Sequence, residues 1–105
     1  MILRRDRFGD LVRRQLDLFA EDEADLLQEA VDAERRYDEA DREDAEEAYG
    51  DLQLVFEAIG DQLEELRDTY AATLEDDTRG GYERSFDRLA TKRYPRSFGP
   101  SRRSS

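Results

Sequence analysis

Cysteine, histidine, tryptophan and asparagine are all absent from this chain of 105 residues. Without cysteine there is no disulfide, no thiol nucleophile and no thiolate metal site. Without histidine the commonest general base and metal ligand near neutral pH is missing. A Ser-His-Asp triad, a Cys-His pair, the usual zinc sites and a di-iron site built on Glu-x-x-His are therefore excluded. Proline occurs only at Pro95 and Pro100, so residues 2–76 contain no helix breaker stronger than Gly9, Gly50 and Gly60. Long apolar runs are missing too: the longest span three residues, as at Leu54-Val55-Phe56, against about 20 for a membrane-crossing helix. Met1 is followed by ILRRDRFGD, which lacks the apolar core of a signal peptide. A cytoplasmic protein without membrane contact is expected.

Charge is what the chain has in abundance. Charged residues make up 43% and hydrophobic ones 37%, so a chain of this length buries a small core alone or completes it with a partner. The net charge is −11, and it is unevenly spread. Residues 1–14 carry +3, residues 15–51 carry −13, residues 52–78 carry −7 and residues 79–105 carry +6. The cations are arginines apart from Lys92. This composition suits both a GC-rich genome and a salt-adapted proteome, in which surface carboxylates maintain solubility.

The apolar residues recur at helical spacing, and no fixed-period repeat is present. Phe8, Leu11, Val12, Leu16 and Phe19 follow steps of three and four, and Ala24, Leu27, Ala30, Val31, Ala33 and Tyr37 continue the stripe. A polar gap at 39–43 predicts a turn. Beyond it, Ala45, Ala48 and Tyr49 open a stripe that runs to Leu74, which predicts a single helix of roughly 30 residues. Asp44 and Glu47 have the spacing of a capping box, and Asp22 is placed to cap a second helix after a kink near 20–22. Gly80-Gly81 reads as a stop, followed by a short helix over 82–94 that Pro95 ends. The expected fold is all-α: a long antiparallel helical hairpin, its first arm kinked near 20–22, plus a short C-terminal helix. Residues 1–94 form one domain and residues 95–105 a disordered basic tail.

Folding such a hairpin about residues 39–43 brings both basic segments to one pole. That pole compensates nearby carboxylates, or it touches a polyanion through Arg4, Arg5, Arg7, Arg93 and Arg96, which are interleaved with aromatic residues. The stripe of Tyr49, Leu52, Phe56, Ile59, Leu63, Leu66 and Tyr70 is broader than one partner helix covers, which predicts two covers: the C-terminal helix over part of it, and self-association into a homodimer of four-helix form. Glu57, Asp61, Glu64 and Asp68 are the carboxylates spaced to hold Mg²⁺ on one helix face. At these few positions the chain resembles the all-helical nucleotide pyrophosphohydrolases, which hold their metal with Glu-Glu-x-x-Glu and Glu-x-x-Asp sets. With 28 acids among 105 residues, such spacings also arise without a function, and a solvated helix face is the simpler reading.

The leading expectation is a non-catalytic adaptor or regulator that works through protein contacts, with no cofactor and no metal. The alternatives are an accessory factor touching nucleic acid through the basic pole, an acidic DNA mimic using residues 17–51, and a Mg²⁺-dependent nucleotide hydrolase.

Overall fold

The computed structural model describes residues 7–99. Four helices and no strand occur among them: α1 (Gly9–Asp22), α2 (Ala24–Glu39), α3 (Ala45–Ala71) and α4 (Asp76–Arg93). The fold is all-α, a helical hairpin with a C-terminal helix.

α1 and α2 are one arm bent at Glu23, close to the expected kink. The helical hydrogen bonds continue through the bend: Glu23 N–H donates to the Phe19 carbonyl (2.8 Å), and Leu27 N–H donates to the Glu23 carbonyl (2.9 Å). Asp22 does not cap α2; it is the last residue of α1, and the position before α2 belongs to Glu23, whose side chain makes no capping bond. The turn falls where the polar gap places it, but Asp41 closes it rather than an Asp44 capping box. Its carboxylate accepts the Asp44 N–H at 3.1 Å. The Asp44 side chain makes no capping bond because that residue already has near-helical backbone angles.

The second half of the chain departs further from expectation. α3 stops at Ala71, and α4 begins five residues later at Asp76, so Gly80 and Gly81 lie inside a helix instead of ending one. Two glycines cost a helix about 2 kcal/mol. Three effects offset this. Asp76 and Asp77 occupy the first turn of α4, and Lys92 and Arg93 the last, each favourable to the helix dipole. Arg79 reaches back to the end of α3, donating from Nε to the Ala71 carbonyl (3.0 Å) and from Nη2 to the Leu74 carbonyl (2.9 Å). Finally, α4 buries Tyr82, Phe86, Leu89 and Ala90 on one stripe.

That stripe organises the core. α2 packs along α3, while α4 packs against both α1 and α3, whose Cα atoms stay more than 8 Å apart. The bend at Glu23 carries α1 away from α3, and α4 occupies the resulting gap. Tyr82 and Phe86 have no exposed surface. The Tyr82 ring lies 4.8 Å from Tyr70 of α3 and 5.7 Å, edge-on, from Phe8 at the start of α1. Its hydroxyl donates to Gln15 Oε1 of α1 at 2.8 Å. Burial pushes the Tyr82 hydroxyl up to about 12, against the smaller lowering effect of the Gln15 bond.

α4 ends at Arg93, as Pro95 demands, but the next residues do not begin a free tail. Ser97 and Phe98 N–H both donate to the Tyr94 carbonyl (3.1 and 2.9 Å), which turns the chain back on itself. Phe98 enters the core 5.9 Å from Phe86. The guanidinium of Arg67, on α3, lies 5.7 Å from the Phe98 ring. Residues 95–99 thus form a docked hook, in place of the expected tail, because burying an aromatic ring outweighs the entropy of ordering so few residues. The rest of the expected tail, residues 100–105, lies outside the described residues. Gly99 is required here: its φ is +122°, and a Cβ would fall 2.8 Å from Thr91 Cγ2.

Phe98→Ala is expected to lower stability by about 3 kcal/mol in urea denaturation, as loss of a buried ring does. The exposed Pro95→Ala is expected to change it by less than about 0.5 kcal/mol. An unchanged midpoint for Phe98→Ala would show that the hook is not docked.

The raised Tyr82 hydroxyl sets an alkaline limit. A free tyrosine ionises near pH 10. Stability from keeping Tyr82 neutral is therefore fully present below pH 10 and is lost as pH rises towards about 12. Burial also raises the Tyr94 hydroxyl, which acts in the same direction. Denaturation midpoints measured at pH 8, 10 and 11.5 should fall steeply over the last interval, and less steeply in Tyr82→Phe. Parallel pH profiles for the two proteins would rule Tyr82 out as the source.

Candidate functional site

The arginines do not gather at one pole. α4 is 18 residues long and carries Arg93 about 27 Å from the α3–α4 turn. There Arg93 Nη2 pairs with Asp17 of α1 at 2.7 Å. Arg96 pairs with Glu34 of α2 at 2.7 Å, and its guanidinium lies 4.7 Å from the Phe56 ring centroid of α3. Both therefore sit at the waist of the hairpin, each engaged by a carboxylate. Arg7 is exposed and lies 5.4 Å from the Phe8 ring at the far end. Arg4 and Arg5 are outside the described residues. The described arginines of the expected basic pole are spread along the molecule, because the helix between Arg79 and Arg93 separates them.

Arg67 is the most deeply placed of these cations, with 14% of its side chain exposed. It pairs with Asp68 at 2.9 Å and with Asp87 of α4 at 2.8 Å. Burial opposes its charge, but the hydrogen bonds and charges of Asp68 and Asp87 outweigh that, and the net shift favours the cation. Arg67 is a fixed positive post between α3 and α4.

The broad stripe of α3 is largely covered from within the chain. Leu52, Ile59 and Leu63 are buried in the core shared with α2 and α4. Phe56 lies under Arg96, and Tyr70 is packed on Tyr82. Of the two expected covers, the C-terminal helix is the one seen: α4 and the Phe98 hook supply the missing layer over these residues. Tyr49 remains half exposed beside Tyr37 at the hairpin tip, their rings 5.4 Å apart. Of the stripe, only Leu66 contributes to a surface of another kind.

That surface is a groove of about 400 Å³ between α1 and α3. Gln15, Leu18, Phe19, Asp22 and Glu23 form one wall. Gln62, Glu65, Leu66 and Thr69 form the other. On α3 these residues occupy the edge away from Arg67 and Ala71, which face α4. The groove thus runs along the opposite side of the same helix pair that α4 fills. Phe19 is buried at its base, and Leu18 stands 51% exposed on its wall. Asp22, Glu23 and Glu65 line it without ion pairs to other described residues, and no Lys or Arg lines it. Leu18 was open to sequence reading as an apolar residue off the α1 stripe, one position before Phe19. The groove itself was not, since it depends on the separation of α1 from α3.

Glu57, Asp61, Glu64 and Asp68 fall on the side of α3 turned away from the core, and Asp68 is drawn to Arg67. Among the described residues, no three acidic side chains are grouped closely enough to hold a metal ion. No described helix is long and apolar enough to cross a membrane. No family model, curated protein or solved structure matches the chain.

Size-exclusion chromatography with light scattering should give a monomer at physiological salt and at about ten times that, where the Debye length falls below about 3 Å. A dimer persisting at both would mean that an apolar surface other than the internally covered stripe joins two copies.

Proposed function

We propose that this chain is a non-catalytic helical interaction protein, which receives a segment of another protein in the groove between α1 and α3. One observation carries the reading: the groove has an apolar base at Phe19 and Leu66 and a half-exposed Leu18 on its wall, while most other large apolar side chains of the fold are turned inward. An apolar side chain kept in water gains by burial against a partner, at about 25 cal/mol per Å² removed from solvent. The groove offers neutral amides and a hydroxyl at Gln15, Gln62 and Thr69 and carboxylates at its rim, a surface suited to recognition. Composition supports the non-catalytic part of the reading, since the chain lacks His and Cys.

The test is a photo-crosslinking amino acid placed at Leu18 in the protein expressed in cells. One discrete protein adduct is expected from that position. The same group at Leu54, which is more exposed but lies outside the groove, should give none. Equal adducts from both positions, or adducts to nucleic acid, would sink the proposal. Leu18→Ala should change stability by less than about 1 kcal/mol, because the side chain is half in water already.

A further inference from the structure

We propose that the occupant of the groove is a basic amphipathic helix of another protein, seated with an apolar stripe on Leu18, Phe19 and Leu66 and with Lys or Arg beside Asp22, Glu23 and Glu65. This rests on the reading of the groove as a protein-docking site and names the chemistry of the partner.

The shape argument comes from α4. The Cα atoms of α1 and α3 stay more than 8 Å apart, and α4 joins the two helices along one edge by packing apolar residues against both. The groove is the other edge of that pair. A helix laid there would meet the same two rods that α4 meets; packed helix axes generally lie 8–10 Å apart. An extended segment fits worse. It needs a sheet edge to satisfy its backbone N–H and C=O groups, and two helix flanks present none; a helix satisfies its own.

The charge argument is independent of shape. Asp17, Glu34, Asp68 and Asp87 are each paired with an arginine of this chain. Asp22, Glu23 and Glu65 are paired with none of the described arginines, so the described cations leave this rim negative. A second copy brings the same three carboxylates against themselves, which opposes closure. A nucleic acid brings phosphates to carboxylates, which opposes binding. A cationic helix brings the opposite sign and covers Leu18 at the same time.

The test uses the full chain and a labelled Leu/Lys peptide of about 18 residues, five turns of amphipathic helix. Two control peptides accompany it: one with every Lys changed to Glu, and one with the Leu/Lys order scrambled to destroy the stripe. Binding is read by fluorescence anisotropy at about 150 mM salt, and its place by amide chemical shifts. The Leu/Lys helix is expected to shift residues of α1 and α3 around Leu18 and Leu66. Leu18→Ala and Glu65→Lys should each weaken it about fivefold or more, as loss of an anchor or of a rim charge does. Leu54→Ala and Glu46→Lys, both outside the groove, should change it less than about twofold. Glu65→Lys should also improve binding of the Leu/Glu helix.

Equal binding of the scrambled peptide, or indifference to Leu18→Ala, would mean that net charge alone holds the peptide, and overturns the proposal. Equal binding of the Leu/Glu helix to the unaltered protein overturns the charge argument and with it the proposed partner. Should no peptide perturb the groove while the crosslinker at Leu18 still captures a protein, the groove is a docking site for other chemistry. Only the absence of both signals removes the docking reading as well.

Discussion

The burial of Tyr82 and Phe86 between α1 and α3 is the contact on which the other features of this fold depend. α3 presents a stripe too broad for α2 alone to cover, and a small, highly charged chain has few apolar side chains with which to finish the task. α4 finishes it by packing against two helices whose backbones stand apart. Tyr82 touches Phe8 from one side and Tyr70 from the other, and hands its hydroxyl to Gln15. Phe86 then receives Phe98 from the returning chain. Both the bend at Glu23 and the hook after Pro95 serve this arrangement: the first opens the space and the second closes it. The same bend leaves the far edge of α1 and α3 uncovered, so the groove follows from the way the core is completed.

The charges are arranged around that wedge. Arg79 satisfies the last carbonyls of α3, Arg67 stands between α3 and α4, Arg93 ties the end of α4 to α1, and Arg96 ties the hook to α2. The more exposed pairs, those of Arg93 and Arg96, contribute little each, about 0–1 kcal/mol. Their value is positional, because each joins two elements that the apolar contacts have already brought together. Arg79, Arg93 and Arg96 of the basic C-terminal segment are each engaged by a carboxylate of this chain. The carboxylates without an ion pair to a described arginine include those at the rim of the groove and at the hairpin tip.

Fold class, the turn near residue 40, the kink before residue 24 and the end of α4 before Pro95 were all legible in the sequence. Each rests on local chemistry: helical periodicity, a gap without apolar residues, and the backbone limits of proline. The caps were misread because a capping pattern names candidates, whereas backbone angles at Asp44 and Glu23 decide which carboxylate is used. Gly80-Gly81 was misread because two glycines weaken a helix by an amount that burying Tyr82 and Phe86 exceeds. Phe98 was assigned to a tail because one aromatic residue in a polar segment carries no periodic signal.

By itself, then, the sequence determined an all-helical chain, its strong negative charge, and the absence of histidine and cysteine chemistry. Only the tertiary structure decided which face of α3 is covered from within, where each arginine finds its carboxylate, and that α1 and α3 stand apart with a groove on one side. The reason is the range of the interactions. Helix formation depends on neighbours three and four positions away. The pairing of Arg96 with Glu34 and of Tyr82 with Gln15, and the placing of Leu18 and Leu66 on one groove, depend on residues tens of positions apart, brought together by the closing of one core.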